Sequence, residues 1–360
     1  MSKIKSFMSR KNIEISAKRY FIDAMGAMAL GLFATLLIGT IFGTIGDKLN
    51  VAFCTDIKNY AQAATGMAIG VAIANALKAP PLVMFSCAVV GHIGNSLPFV
   101  FHDKTLTAGP AGAFFAVILA CELGKVVSKE TPVDIIVTPV VTILSGYGIS
   151  LLVCPVISIG IFYIAEFIGI AMSFAPLLMG IVVAIIVGMI LTLPISSAAI
   201  CAMIFSTVII ESSANPEAVL LAGGAAAVGC CAQMIGFAVI SFRENKWGGL
   251  VAQGLGTSML QMGNIVKKPQ IWIAPTVSGA VCGALSATVF KLKCAGVSAG
   301  MGTCGLVGPI GILSSSGSSA MTWIGIVALC VVVPAVVSLI INEIFRKIGF
   351  VKTGDMKLDI

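Results

Sequence analysis

The stretch FAPLLMGIVVAIIVGMILTLP at 174–194 decides the fold class. A helix needs about 20 apolar residues to cross a bilayer, and this stretch supplies them without a charged residue. Of the 360 residues, 58% are hydrophobic and only 10% are charged, whereas soluble domains carry about 25% charged residues. A water-soluble globule is therefore excluded. Long apolar runs also exclude the short alternating segments of a transmembrane β-barrel. The sequence predicts an all-α polytopic membrane protein.

The distribution of basic residues predicts the orientation of the chain. The segment before the first span contains six basic residues and one acidic residue, Glu14. The basic residues are Lys3, Lys5, Arg10, Lys11, Lys18 and Arg19. Cytoplasmic loops carry an excess of Lys and Arg, so this segment predicts a cytoplasmic N-terminus in a bacterial plasma membrane. Its position directly before a span argues against a nucleic-acid partner. The basic C-terminal segment is expected on the same side.

Hydropathy predicts about ten spans and three sequential regions. We expect a basic cytoplasmic segment at 1–19, a transmembrane domain at 20–342 and a cytoplasmic tail at 343–360. The predicted spans are 22–46, 59–78, 82–101, 108–128, 135–165, 173–193, 195–210, 218–240, 270–290 and 319–342.

Two further apolar stretches, 248–266 and 294–313, are rich in Gly, Ser, Thr and Gln, unlike a lipid-facing helix. Arg243 and Lys246 precede the first stretch, and Lys267 and Lys268 follow it. A single crossing would leave one of these basic loops outside, against the positive-inside bias. Both stretches are predicted to be re-entrant hairpins, since non-helical backbone at membrane depth must be buried or line a cavity.

Neutral polar residues in apolar surroundings are the main candidates for binding a substrate. Their hydroxyl and amide groups suit a sugar or polyol. The candidates in and before the first hairpin are Gln233, Gln253, Thr257, Ser258, Gln261 and Asn264. For Gln233, a hydrogen bond between helices is an equally good interpretation.

Further candidates lie beside helix breakers or at helix ends. The stretches VVGHIGNSLP, IIVTPVVT and LTLPISSAA resemble broken-helix corners, with a kinked helix capped by Ser or Thr as the alternative. Glu122 is either a substrate acceptor or the partner of Lys125 in an ion pair. The candidates at these positions are His92, Asn95, Thr138, Ser196 and Glu122.

The turn at 241–249 contains Arg243, Glu244 and Asn245, which either bind a phosphoryl-donor protein or form a solvated loop. No sequence pattern indicates a catalytic nucleophile, a phosphate-binding loop, a metal site or a cofactor. We therefore expect transport to be driven by a gradient or by a partner that modifies the substrate.

Four strings carry a resemblance to a known family: LPISSAA, GCCAQMIGFAVISFRENKWGGLVAQGLGTSMLQ, NIVKKPQIWIAPTVSGA and AGMGTCGLVGPIG. Here the chain resembles the PfoR membrane proteins, which are classed with the IIC permease subunits of the bacterial sugar phosphotransferase system. The resemblance spans about 20–342. It implies a homodimer in the lipid bilayer, a sugar cavity formed partly by re-entrant hairpins, and phosphate supplied by a separate IIB protein.

Two alternatives to a sugar or polyol permease remain at this point. One is a secondary transporter of another small metabolite, such as an organic anion, without phosphorylation. The other is a membrane-embedded sensor that binds a solute and signals through its cytoplasmic loops, although these loops offer little surface for a signalling partner.

Overall fold

The computed structural model describes residues 3–49, 51–101, 104–193 and 196–358. Helix makes up 82% of the structure, which confirms the all-α class. Among these described residues, six helices are long and apolar enough to cross a membrane, and five shorter apolar helices accompany them. Two compact units divide the chain, Met1–Tyr163 and Ile164–Ile360.

The first unit contains seven complete α-helices and a two-stranded hairpin among its described residues, and an eighth helix continues from it into the second unit. Its helices are α1 (Lys3–Arg10), α2 (Ala24–Leu32), α3 (Ile38–Leu49), α4 (Ala52–Ala63), α5 (Thr65–Ala76), α6 (Pro81–Ser96), α7 (Gly109–Val127) and the continuing α8 (Asp134–Phe174). Two π-helical stretches, Lys18–Asp23 and Phe33–Leu37, flank α2. Strands β1 (Pro98–Phe101) and β2 (Lys104–Thr107) pair antiparallel, with Phe99 opposite Leu106.

The second unit contains long helices interrupted by short irregular segments. Its α-helices are α9 (Pro176–Thr192), α10 (Ser197–Ile204), α11 (Thr207–Ser212), α12 (Pro216–Ile240), α13 (Phe242–Val251), α14 (Met262–Lys267), α15 (Ile273–Leu285), α16 (Val307–Ser316), α17 (Ala320–Val327) and α18 (Val333–Lys347). The π-helical stretches are Ala252–Gly256, Ser286–Phe290 and Ala328–Val332. The 3₁₀ stretches are Ser258–Gln261, Pro269–Trp272, Gly296–Gly300 and Cys304–Leu306.

Helix α12 is the most buried helix of the second unit, and its sequence explains why. The run AGGAAAVGCCA consists of small residues, which let neighbouring backbones approach closely where lipid removes the hydrophobic drive for association. The backbone of 292–294 crosses directly over Gly223 and Gly224, and the Cys294 amide donates to the Leu220 carbonyl at 3.0 Å. The core of this unit is therefore held by backbone proximity as well as by large side chains.

Several sequence-predicted spans differ from the observed elements. The predicted span 82–101 ends early, because α6 stops at Ser96 and a strand follows from Pro98. The predicted span 195–210 is two short helices, since Ser206 caps a new helix by accepting from the Ile209 amide at 3.4 Å.

The predicted broken-helix corner at Thr138 and Pro139 is wrong. Helix α8 is continuous from Asp134 to Phe174, longer than the predicted span 135–165, and contains both Pro139 and Pro155. Proline is tolerated in membrane helices where neighbouring groups satisfy the freed backbone.

Candidate functional site

The segment 248–266 is a broken helix in the structure. Helix α13 contains a non-helical residue, Lys246, at φ 52° and ψ −150°. It passes into the π-helical stretch Ala252–Gly256, and Thr257 then has extended backbone before a 3₁₀ turn leads into α14. Each piece is too short to cross a bilayer alone. Such irregular backbone exposes carbonyl and amide groups that need partners.

The second polar segment, 294–313, supplies one of these partners. It is equally irregular, with Gly302 at φ +56° and Leu306 at φ +62°. Thr303 donates its buried hydroxyl to the Gly254 carbonyl at 2.6 Å. The two segments predicted separately from composition are therefore in direct contact within the second unit.

The corner at LTLPISSAA adjoins both broken segments. Helix α9 ends at Thr192, and Ser196 caps α10 by accepting from the Ala199 amide at 3.1 Å; Pro194 lies outside the described residues. Thr192 and Ser258 share a buried hydrogen bond at 3.1 Å. Ser197 donates to the Gly300 carbonyl at 2.7 Å. Hydroxyl groups therefore hold the corner against each broken segment.

A chain of amides organises the first broken segment. Gln253 donates to the Ser241 hydroxyl and to the Gly249 carbonyl, both at 2.9 Å. Its own carbonyl accepts from Gln261 at 2.9 Å, and Gln261 accepts from Asn264 at 2.8 Å. Gln253 and Gln261 are fully buried. Three of the predicted substrate residues are thus joined to one another.

The C-terminal segment covers this amide chain. Gln261 donates to the Met356 carbonyl at 3.0 Å, and Asn264 donates to the Lys357 carbonyl at 2.9 Å. The Met356 side chain is completely buried, in an apolar cluster with Phe237 and Ile265. Among the described residues, no group donates a hydrogen bond to the Asn264 side-chain oxygen. Of the three linked amides, Asn264 is therefore the one whose oxygen has no donor.

Two of the residues predicted to dock a partner hold the C-terminal segment in this conformation. Glu244 pairs with Arg346 at 2.8 Å and accepts from the Met356 amide at 2.9 Å. Asn245 donates to the Met356 carbonyl and accepts from the Leu358 amide, both at 2.8 Å. The Glu244 side chain is only 4% exposed.

The outer surface of the same turn is basic. Arg243 is 65% exposed and pairs with Glu343 at 3.0 Å. Lys246 is also exposed, and Trp247, which follows it in the sequence, is 72% exposed. Lys267 and Lys268, at the far end of the first broken segment, are exposed as well. Two of the three predicted docking residues, Arg243 and Glu244, are charged, and of these Arg243 is the one with an exposed charged group.

Gln233 makes the helix-to-helix hydrogen bonds considered from sequence. From α12 it donates to the Thr276 hydroxyl on α15 at 3.0 Å and accepts from the Trp272 indole at 3.1 Å. Thr257 accepts from the Met259 amide at 3.1 Å and so caps the 3₁₀ turn. Both residues have identified structural roles in this conformation.

The remaining candidates lie in the first unit and belong to separate local contacts. Glu122 forms the ion pair with Lys125 at 2.8 Å and accepts from the Tyr20 hydroxyl at 3.3 Å. Thr138 is buried and donates to Asp134 at 2.5 Å. His92 is exposed on α6, and the Asn95 amide approaches the Ser96 hydroxyl at 3.4 Å.

The buried polar side chains of the two broken segments and of the corner that adjoins them are electrically neutral. Among the described residues of these three segments, every polar side chain in the buried class is a hydroxyl or an amide. The buried ion pair of Glu244 and Arg346 lies outside them. These groups both donate and accept hydrogen bonds, as sugar hydroxyls do. A strongly anionic ligand would instead be expected to meet a cation or oriented amides.

Sequence reasoning missed several partners of the candidate residues. Ser241, Thr192, Ser197 and Thr303 are conspicuous as hydroxyls in apolar runs and could have been found by that signal. The carbonyls of Met356 and Lys357 could not, because a main-chain acceptor has no residue-type signature.

Comparison with known families agrees with this architecture. The family model described as "Phosphotransferase system, EIIC" matches residues 22–358. No curated protein and no solved structure matches the chain significantly. The family match includes both broken segments and the C-terminal segment that covers the first of them. The chain therefore belongs to the EIIC family of the phosphotransferase system and is a membrane permease of the sugar-transporting type.

Proposed function

We propose that this permease carries a neutral sugar or polyol through a cavity formed at the two broken segments 248–266 and 294–313. The neutral character of every buried polar side chain described in these two segments carries this proposal. Desolvating a carboxylate or phosphate beside such groups would cost far more than desolvating a hydroxyl. This observation favours a sugar over an organic anion.

Alternating access is proposed to involve rearrangement of the amide chain. Gln253, Ser258 and Gln261 are buried and internally bonded in this conformation. A sugar hydroxyl can replace each such bond with one of similar strength, because exchange between equivalent partners changes the free energy little. The proposed first contacts are the Asn264 side-chain oxygen and the half-exposed Thr257, which lies earlier in the same segment.

We further propose the membrane arrangement that the sequence indicates. Both broken segments are re-entrant, both termini are cytoplasmic, and the permease is a homodimer in the bacterial plasma membrane. The basic surface made by Arg243, Lys246, Lys267 and Lys268, together with Trp247, then faces the cytoplasm. We propose this surface as the docking face for a separate IIB protein that phosphorylates the incoming sugar.

A thermal-shift panel tests the substrate class. The protein is purified in an amine-oxide detergent, since the headgroup of a maltoside detergent is itself a sugar. Sugars, polyols, sugar phosphates and organic acids are then compared for the rise in apparent Tm, because a ligand that binds the native state stabilises it. A neutral sugar or polyol is expected to give the largest rise. Stabilisation by organic acids alone would favour a gradient-driven anion transporter.

The variant Asn264→Ala locates the site. Loss of one neutral hydrogen bond is expected to weaken sugar binding roughly 2- to 10-fold. Gln270→Ala is the matched control, because the Gln270 amide also bonds to the C-terminal segment, at the Phe350 carbonyl at 3.3 Å, but lies outside the proposed contacts. Equal affinity in Asn264→Ala, Gln270→Ala and the unmodified protein would contradict a site at this segment.

A further inference from the structure

A cationic cavity in the first unit is separate from the proposed transport site. It has a volume of about 350 Å³, and five basic side chains and one acidic side chain line it. These are Arg10, Lys11, Lys78, Lys125, Lys129 and Glu130.

The ion pairs of the cavity leave it with an excess of positive charge. Arg10 and Lys11 share Glu130, at 2.8 and 2.5 Å. The hydrogen bond from Lys11 lowers the pKa of Glu130, so this carboxylate is charged at neutral pH. Glu122 compensates Lys125 at 2.8 Å from outside the lining. Asp134, which accepts from the Lys129 backbone amide at 2.7 Å, is a third carboxylate beside the lining. Three carboxylates thus oppose five cations, and two positive charges are unmatched.

Of the described lysines that line the cavity, Lys78 and Lys129 are the two whose ammonium groups form no ion pair; the Lys129 backbone amide donates to Asp134. Both are exposed, and both have left-handed backbone, with φ 55° and 62°. They directly follow the ends of α5 and α7, at the position where glycine usually terminates a helix. A side chain at such a position costs about 1 kcal/mol relative to glycine. Two lysines whose ammonium groups form no ion pair therefore occupy strained turns at the mouth of one cavity.

The back of the cavity is a fixed polar wall. Lys125 is completely buried and donates to the Asn12 carbonyl at 3.0 Å and to the Leu77 carbonyl at 3.1 Å. Lys11 donates to the Ser128 carbonyl. The ends of α1, α5 and α7 are thereby held together, and the cation heads satisfy carbonyls that helix ends leave open. Because these cationic groups are already held in place, a ligand can bind in the cavity with little rearrangement of its side chains.

The position of the cavity identifies the chemistry of its ligand. Apolar helices α5 and α7 end there and α6 begins there, which is the position expected of the headgroup region if these helices lie in the bilayer. Exposed apolar side chains continue from it, including Val126, Val133 and Ile135. Basic residues at this depth attract anionic lipids by about 1 kcal/mol each. We propose that the cavity binds a phosphate group, supplied by the headgroup of an anionic phospholipid.

Thermal stability of the full-length protein in mixed micelles tests this proposal. Phosphatidylglycerol is compared with phosphatidylcholine, whose phosphate is balanced by a cation, and with inorganic phosphate and glucose 6-phosphate. The test variant is Lys78→Asn with Lys129→Asn, because asparagine tolerates left-handed backbone and removes the charge. The control is Lys246→Asn with Lys291→Asn, which changes the net charge equally at two other lysines with positive φ, 52° and 48°.

We expect phosphatidylglycerol, but not phosphatidylcholine, to raise the apparent Tm of the unmodified and control proteins. The test variant should bind phosphatidylglycerol about 10-fold or more weakly, as expected for two lost lysines. If the soluble phosphates stabilise the unmodified protein but not the test variant, the cavity binds phosphate, and the phosphate comes from a soluble compound rather than from a lipid. Equal responses of the test and control variants, or no response to any phosphate, would overturn the proposal.

Discussion

Replacing Glu244 with alanine is expected to destabilise the protein by about 3–5 kcal/mol, the usual cost of breaking a buried ion pair from one side. Glu244 and Arg346 are 4% and 9% exposed at their side chains and lie 2.8 Å apart. The change leaves the Arg346 charge buried without its partner. The Met356 amide also loses its acceptor, since it donates to the Glu244 carboxylate at 2.9 Å. The measurement is the fall in apparent Tm of the purified protein.

The neighbouring pair provides a control for this prediction. Arg243 and Glu343 lie 3.0 Å apart but are 65% and 38% exposed. Arg243→Ala is expected to cost less than about 1 kcal/mol, as exposed ion pairs do. Adding Arg346→Met to Glu244→Ala should recover part of the loss by removing the unpaired charge. Equal losses in Glu244→Ala and Arg243→Ala would show that the C-terminal segment is not held in this way.

Gly224→Ala is expected to cost about 3 kcal/mol, at the upper end of the usual range for overpacking. A Cβ atom at Gly224 would lie 1.9 Å from the Leu292 carbonyl oxygen and 2.6 Å from its carbonyl carbon. These are backbone atoms, so the segment that crosses α12 must move as a whole. The hydrogen bond from Cys294 to Leu220 lies in the path of that movement. Apparent Tm and the elution profile in size-exclusion chromatography measure the effect.

Gly160→Ala is the matched control within a membrane helix. A Cβ atom at Gly160 meets no other atom within 4 Å. Alanine is favoured over glycine in a helix by about 1 kcal/mol, so this variant is expected to be neutral or slightly stabilised. If both alanine variants have the same stability, the close approach over Gly224 does not contribute to the fold.

Hydropathy predicted the elements that consist of one uninterrupted apolar helix. The predicted spans 108–128 and 218–240 correspond closely to Gly109–Val127 and Pro216–Ile240. It failed where a short polar signal divides or ends a run, as at Ser206 and Ser96. The predicted break at Pro139 came from the proline rather than from hydropathy. It was wrong because neighbouring groups can satisfy the backbone around a proline in a membrane helix.

For the candidate site, composition identified the right segments but not their internal bonding. The Gly, Ser, Thr and Gln content of 248–266 and 294–313 predicted departure from a lipid-facing helix, and both segments are irregular in the structure. Their contact through Thr303 and Gly254 was not predictable, since a carbonyl acceptor can belong to any residue. The same reason hid the C-terminal segment, whose main chain accepts from Gln261 and Asn264.

Solute counterflow in proteoliposomes tests the proposed sugar permease most directly. Vesicles containing the purified protein are loaded with the sugar that stabilises it best, and a trace of the labelled sugar is added outside. A carrier with alternating access exchanges the two, so the label should accumulate transiently without an ion gradient and without a IIB protein. Absence of counterflow for every stabilising sugar, with organic-acid uptake that depends on a proton or sodium gradient, would contradict the account.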